Sequence, residues 1–256
     1  MKRILFSLLT LFFFGFFPYL AVAEEWSSEN SSVEIGNALM VNTTVEISLG
    51  DITLTGGATK LMGGEFQYPS IEWKPLISYQ VKNMVGELKI QIPTNTHFSL
   101  FRFRDLNHKT LIRLNDFVPM NLFFKVGAGK SQVDLGSMTL ETLTIEAGAG
   151  EVMIDLKENT SLSRFHLKTG VGKVTIDLRG NWLQDVDSKI ISGLGEVTLF
   201  LPQNIGVRVE TKRGLGAIDA SHLIVNGNIY TNQLYGKTQP TLNIYLESGI
   251  GKVNLY

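Results

Sequence analysis

The amino-acid sequence predicts an all-β fold, a β-solenoid-like stack of strands with Gly-x-Gly corners about every 22 residues. Six Gly-x-Gly triplets recur along the second half of the chain, and the first five begin 21, 22, 23 and 21 residues apart. Apolar residues alternate with polar ones around these triplets, which is typical of strands with one buried face. The glycines of the six predicted corners are Gly127 and Gly129, Gly148 and Gly150, Gly170 and Gly172, Gly193 and Gly195, Gly214 and Gly216, and Gly249 and Gly251.

Each predicted unit consists of a strand, a glycine corner, a second strand and a looser return. Before the corner Gly148-Ala149-Gly150 the apolar residues have odd numbers, Leu143 and Ile145, whereas after it they have even numbers, Val152 and Ile154. A bend that keeps the same side of the chain inward produces this shift by one residue. Glycine suits such a bend because it enters positive φ without steric cost.

Two arrangements of these units agree with the pattern. In a solenoid, each unit forms one coil, and equivalent positions of neighbouring coils stack about 4.8 Å apart. In an antiparallel meander, each Gly-x-Gly is instead a hairpin turn. The recurrence of one corner signature in every unit favours the solenoid. Stacking would also place opposite charges side by side in a surface ladder of Lys130, Glu151, Lys173 and Glu196. The alternative is that the charges alternate along the chain by chance.

The remaining segments of the chain repeat less regularly. Alternating apolar residues surround Gly50-Asp51, whereas residues 93–120 lack the repeat and include Arg102, Arg104 and His108. Between the last two triplets the spacing grows to 35 residues. Because Asn-Gly is favoured in two-residue turns, Asn226-Gly227 predicts an extra hairpin there.

The N-terminus carries the parts of a secretory signal peptide over residues 1–23: a basic dipeptide, a long apolar run and an Ala-Val-Ala cleavage site. The alternative is an uncleaved membrane anchor, since the apolar run approaches the length of a membrane span. Residues 24–32, rich in Ser, Asn and Glu, are predicted to form a loose arm. One continuous domain is expected over 33–256, with a divergent β-repeat half at 33–120 and a regular half at 121–256.

Composition excludes several classes of protein. The formal net charge is −1 over 256 residues, which argues against a nucleic-acid binder and against strong attraction to an anionic membrane. The chain has no cysteine, so disulfides and an N-terminal lipid-modified cysteine are excluded. We expect an exported protein, periplasmic or extracellular, without a transmembrane helix once the signal peptide is removed.

Several stretches of the sequence resemble a known bacterial family. The segment from Asp51 reads DITLTGGATKLMGGEFQYP and is followed by EWKP and GELKIQ; the second half contains GAGEVMIDL, GVGKVTIDLRGNW and GLGEVTLFLPQNIGVRVETKRGLGAID. This resembles the toast-rack family and the related C-terminal domain of cell-wall-active-antibiotic response proteins, which are akin to adhesins. The resemblance covers residues 36–256. It implies a rack of stacked β-strands in the cell envelope, and it supplies no catalytic residues.

Few residues point to chemistry. No triplet has the third glycine of a phosphate-binding Gly-x-Gly-x-x-Gly before a helix, and no metal-ligand spacing joins the four histidines. Asp134, Asp155 and Asp177 occupy equivalent positions of successive units and are the weak candidate for calcium or glycan contact. The simpler interpretation is outward polar decoration of a strand. Trp73 and Trp182 are interpreted as packing residues, although either could stack on a sugar ring.

These patterns favour an exported binding or structural module of the cell envelope, with no catalytic activity and no cofactor or metal. Its partner would be an envelope protein or a cell-wall polymer. A polysaccharide-active β-helical enzyme and a membrane-anchored envelope-stress sensor module are the alternatives. Leu255-Tyr256 lies in what the sequence predicts as the last strand, so self-association through that edge is also considered.

Overall fold

The computed structural model describes residues 26–93, 109–157 and 159–256. Its strands are joined in one sheet of 15 strands, with a single 3-10 turn at Ile71–Trp73 in the described part. In chain order the strands are β1 Ser27–Val33, β2 Met40–Leu49, β3 Asp51–Ala58, β4 Met62–Tyr68, β5 Leu76–Lys82, β6 Val85–Ile92, β7 Lys109–Asn115, β8 Met120–Asp134, β9 Leu140–Asp155, β10 Arg164–Asp177, β11 Val186–Phe200, β12 Gly206–Asp219, β13 Ile224–Asn226, β14 Ile229–Thr231 and β15 Thr241–Leu255.

Six long strands form the regular half of the stack. They pair in parallel in the spatial order β8, β9, β10, β11, β15 and β12. The solenoid-like arrangement is therefore confirmed over the antiparallel meander, in which neighbouring strands would run in opposite directions. The second glycines of the triplets align in one column across the stack, in the order Gly129, Gly150, Gly172, Gly195, Gly251 and Gly216.

Each long strand bends at its triplet into a first arm before the corner and a second arm after it. In β9 the alternating buried residues next to the corner are Leu143, Ile145 and Ala147 before it, and Val152 and Ile154 after it. The predicted shift of the buried set by one residue is therefore present. The core fills the space between the two arms, and short returns such as residues 135–139 close it.

The two glycines of a corner are required for different reasons. Gly172 has φ +141°, and a Cβ on it would lie 1.8 Å from the carbonyl oxygen of Gly150 on the neighbouring strand. Gly170 has no positive φ, but a Cβ there would lie 2.4 Å from the carbonyl oxygen of Gly148. The first glycine is thus selected by close backbone approach alone, whereas the second is also selected by backbone conformation.

The divergent half builds the same kind of coil from two separate strands. β2 pairs with the first arm of β8, β3 pairs with its second arm, and Gly50 at the junction has φ +133°. β6 and β7 then add to β2 and β3 in parallel. β5 pairs antiparallel with β6 and ends that side of the sheet, and β4 pairs antiparallel with β7. Of the loose arm expected over residues 24–32, residues 27–32 instead belong to a strand, because Ser27–Val33 pairs antiparallel with β4 along its whole length.

The C-terminal segment changes the predicted order of the coils. β12 does not stack on β11; the chain leaves one place free, forms the predicted hairpin of β13 and β14 at Asn226-Gly227, and returns so that β15 fills that place. Leu255-Tyr256 is therefore not at an edge, and the edge expected there is wrong: Leu255 pairs with Leu199, and Tyr256 exchanges backbone hydrogen bonds with Leu199 and Leu201.

Side chains at the ends of the arms complete the core. Trp73 and Trp182 are buried, and Trp182 Nε1 donates to the carbonyl oxygen of Leu178 at 2.7 Å. The packing role inferred for both tryptophans is confirmed. Asn159, 1% exposed, ties two returns together by donating to the carbonyl oxygens of Leu135 and Met138 and accepting from the amide of Leu162.

Some predictions fall outside the described residues. These are the signal peptide at 1–23, together with His97, Arg102, Arg104 and His108. Within the ranges that the structure describes, no helix has the length and apolarity that crossing a membrane requires.

Candidate functional sites on the corner and the two arms

The middle residues of the triplets form an apolar ridge along the outside of the corner. Val171, Leu194, Ile250 and Leu215 lie on successive strands β10, β11, β15 and β12, and neighbouring members are paired in register. Their exposed fractions are 53%, 45%, 53% and 72% respectively. We call these four residues the corner ridge. Contiguous exposed apolar surface on a folded protein is typical of an interaction site, whereas isolated exposed apolar side chains are not.

The corner ridge was not predicted from the sequence, although a signal for it exists. The middle residue of every triplet is apolar, and it grows from Ala128 and Ala149 to the larger side chains further along the stack. The glycines on either side face the neighbouring backbone too closely to carry a side chain, so the middle residue is the one that projects outward. Without the direction of the bend, the same pattern could equally describe buried residues.

Alternating charges flank the ridge on the second arm. Lys130, Glu151, Lys173 and Glu196 occupy successive positions in register, as the ladder requires. The Lys130 Nζ to Glu151 Oε2 distance is 3.5 Å. The next neighbour of Glu196 is Lys252 on β15, so the alternation continues for one further strand. Exposed pairs of this kind contribute only about 0.2–1 kcal/mol each, so they fix register more than they stabilise.

The three aspartates of the candidate calcium or glycan column do align. Asp134, Asp155 and Asp177 are neighbours in register at the end of the second arm, and Phe200 takes the next position. Lys157 and Arg179, however, occupy the same surface.

Basic side chains already engage two of these carboxylates. Lys157 Nζ lies 2.8 Å from Asp155 and 3.6 Å from Asp177, and Arg179 donates two side-chain hydrogen bonds to Asp177 at 2.9 and 2.6 Å. The guanidinium of Arg179 also lies 5.0 Å from the ring centroid of Phe200, within cation–π range.

The electrostatics of Asp177 oppose acid catalysis. Burial raises the pKa of Asp177, but the hydrogen bonds and charge of Arg179, with the charge of Lys157, outweigh that effect and hold the pKa below its ordinary value. A general acid in a glycosidase needs the opposite, a raised pKa. No group of three or more potential metal-ligating side chains occurs within the described ranges. The aspartate column therefore fits the interpretation of polar residues at the strand ends, two of which are neutralised by Lys157 and Arg179.

Asp177→Asn should destabilise the fold in a pH-dependent manner. The folded-state pKa is lowered, so the stabilisation is present above the ordinary value of 3.8 and is lost as the pH falls through the folded-state pKa. We expect a loss of about 1–2 kcal/mol at neutral pH, since charge-assisted hydrogen bonds are removed, and little difference in strong acid. Urea unfolding across this pH range measures it.

Asp134→Asn is the matched control, because no ion pair of Asp134 occurs in the described part of the chain. It should leave the free energy of unfolding within about 0.5 kcal/mol of the parent at every pH. An equal loss in both variants would show that the ion pairs of Asp177 do not stabilise the fold.

The fold and these surfaces define an all-β stacked-strand protein with a glycine corner. The chain belongs to the toast-rack family: residues 22–163, more than half of the sequence, match the N-terminal domain of toast_rack. Residues 157–255 match the family described as cell wall-active antibiotics response LiaF, C-terminal. The two matches meet near residue 160, in the return between β9 and β10, and these two strands pair directly with each other in the one sheet.

One solved structure of a similar protein shares this fold. A candidate cell adhesion protein from Clostridium sporogenes is 31% identical, with a TM-score of 0.70, covering 90% of this chain and 99% of that one. A candidate adhesin from Bacteroides fragilis is 10% identical, with a TM-score of 0.33, over 91% of this chain and 98% of that one. The second likeness is too loose to support any argument. A search of curated proteins finds no match.

Proposed function

We propose that this protein is an exported, non-catalytic binding module of the cell envelope, and that its corner ridge contacts another protein. The observation that carries the proposal is the unbroken row of exposed apolar side chains from Val171 to Leu215 across four strands. The names of the relatives, a cell adhesion protein and a cell wall-active antibiotics response domain, support the envelope setting. The signal-peptide pattern in residues 1–23 supports export.

The chemistry of the ridge favours a protein partner over a membrane or a charged polymer. Apolar side chains form its centre, and the ladder beside it alternates in sign through Lys173, Glu196 and Lys252, so that no stretch of one charge runs along the ridge. An anionic polymer or an anionic bilayer would need a basic excess at this place. An apolar centre with a mixed polar rim is the usual composition of a protein–protein interface.

The enzyme alternative gains no support from the carboxylates. Asp155 and Asp177 both contact Lys157, and Asp177 has a lowered pKa. Replacing both by asparagine should leave binding of a partner unchanged, because the pair lies at the far end of the second arm from the ridge. Turnover of a polysaccharide by the parent, abolished in this double variant, would instead establish the enzyme.

The ridge is tested by making it more polar while keeping β-branched residues in the strands. The triple variant Val171→Thr, Leu194→Thr and Ile250→Thr keeps residues suited to strands but places a hydroxyl on three of the four ridge side chains. A photo-reactive residue at position 194 should cross-link one envelope protein, and that purified protein should bind the parent saturably. We expect its affinity for the triple variant to fall roughly tenfold to a hundredfold. Titration of the purified partner measures the change.

The matched control removes three exposed apolar side chains that lie apart from the ridge: Ile71→Thr, Phe117→Thr and Leu183→Thr. These residues are 72%, 85% and 73% exposed, comparable with the ridge residues or more so. The control should bind the partner like the parent. Equal losses in both triple variants, or no saturable binding by the parent, would contradict the proposal.

A further inference from the structure

The outer face of the first arm carries a column of basic residues. Arg164, His166 and Lys168 are exposed on β10 and alternate with Phe165 and Leu167, which are buried. Successive outward residues of a strand lie about 6.6 Å apart, so the three basic groups extend for about 13 Å along β10.

A further lysine widens this column. Lys189 on β11 is exposed and lies beside His166 in register, with Thr144 on the other side. We call Arg164, His166, Lys168 and Lys189 the basic column. A depression of about 490 Å³ lies over this part of the sheet, and Arg164, His166 and Lys189 line it.

Few acidic groups compete for these cations. Asp187 lies beside Arg164 in register and lines the same depression. Glu146 lies beside Lys168, but its carboxylate is 3.7 Å from Lys125, on the opposite side. In the described ranges no ion pair involves Arg164, Lys168 or Lys189. The face is therefore locally cationic on a chain whose net charge is −1.

We propose that the basic column binds an anionic polymer with regularly repeated phosphate groups, lying along β10 on the outer face of the first arm. Arginine and lysine both donate to phosphate oxygens, arginine through two parallel N–H groups. A depression with an excess of one sign of charge raises the local concentration of such a ligand, and here the cations Arg164 and Lys189 outnumber Asp187. The inference rests on the proposed binding function but uses a different face from the corner ridge.

The length of the column favours a chain over a single small anion. Arg164 and Lys168 are separated by about 13 Å of strand, so a single phosphate group would not use the whole length of the column. A polymer can place successive phosphates against Arg164, His166 and Lys168 in turn. An anionic bilayer is the competing source of phosphate. The cations, however, form a narrow line along β10 and its neighbour β11, which suits a chain, whereas a bilayer presents phosphate groups over an area.

The test uses the full chain with inorganic polyphosphate as the polymer probe, inorganic phosphate as the small ion, and vesicles containing an anionic phospholipid. The parent should bind polyphosphate saturably, and it should bind inorganic phosphate and the vesicles weakly. The triple variant Arg164→Gln, Lys168→Gln and Lys189→Gln should bind polyphosphate roughly tenfold more weakly or worse. Its slope of log affinity against log salt should be smaller by about two, since three phosphate contacts are lost.

A matched control removes three lysines of the ladder on the other arm: Lys130→Gln, Lys173→Gln and Lys252→Gln. It changes the net charge by the same amount and should alter polyphosphate affinity less than about threefold. Thermal unfolding checks that both variants are folded. An equal loss in the control, or tighter binding to vesicles than to polyphosphate, would overturn the proposal. The basic-column variant should still bind the protein partner of the corner ridge like the parent. A failure of the polyphosphate proposal can then be distinguished from a failure of the ridge proposal.

Discussion

Gly172→Ala is expected to cost about 3 kcal/mol or more of folding stability. Two penalties combine at this position. The backbone has φ +141°, which an L side chain rarely adopts, and the new Cβ would lie 1.8 Å from the carbonyl oxygen of Gly150. The contact is with backbone, so relief requires the parallel strands to separate. Urea unfolding followed by circular dichroism measures the loss.

Alanine variants of three further glycines distinguish the cost of positive φ from the cost of close backbone contact. Gly57→Ala adds a side chain at φ +91° with no atom within 4 Å, so it should show the conformational cost alone, about 1 kcal/mol. Gly170→Ala adds the backbone contact without positive φ, and its cost should fall between those of Gly57 and Gly172. Gly63→Ala meets neither penalty and should be close to neutral. A Gly172→Ala loss no greater than that of Gly57→Ala would refute the role of close strand approach.

Asn159→Ala is expected to cost about 3 kcal/mol, because one side chain satisfies three backbone groups at a buried site. Its Nδ2 donates to the carbonyl oxygens of Leu135 and Met138 at 2.9 and 3.0 Å, and its Oδ1 accepts from the amide of Leu162 at 3.1 Å. Alanine would leave these groups without partners, and each orphaned group costs about 1–3 kcal/mol unless water enters. The midpoint of urea unfolding gives the change.

Two other asparagines calibrate this result. Asn115 is also buried and bonds the carbonyl oxygens of Ala58 and Lys60 in the same way, so Asn115→Ala should cost a similar amount. Asn204→Ala breaks an exposed side-chain bond to Asn181 and should change stability by less than about 0.5 kcal/mol. If Asn159→Ala behaved like Asn204→Ala, the buried hydrogen bonds would not be holding the returns in place.

The two binding proposals concern faces that the bend separates. The ridge lies on the outside of the corner, and the basic column lies on the outer face of the first arm. Because parallel stacking repeats each position on the neighbouring strand, a surface property set at one position of the repeat becomes a column of that property. The apolar ridge, the charge ladder and the aspartate column arise in this manner.

The candidate sites could be predicted from the sequence only in part. The ladder and the aspartate column follow from equal spacing, and both align in the structure. The ridge could not be recognised, because exposure of Val171 or Leu194 depends on which side of the bend is filled. That Asp177 is paired, and so not free to bind a ligand, also depends on tertiary contacts. Lys157 reaches it from just beyond the end of the preceding strand, β9.

By itself, the sequence determined the all-β class, the position of each corner and the face of each arm that is buried. These follow from local physics: period-two alternation marks a half-buried strand, and glycine marks a bend that other residues cannot adopt. Only the tertiary structure decided which strands are neighbours. It placed β15 between β11 and β12, and it paired β1 with β4 where a loose arm was expected. Backbone hydrogen bonding is nearly indifferent to sequence, so the choice among partners is made by long-range packing of the whole stack.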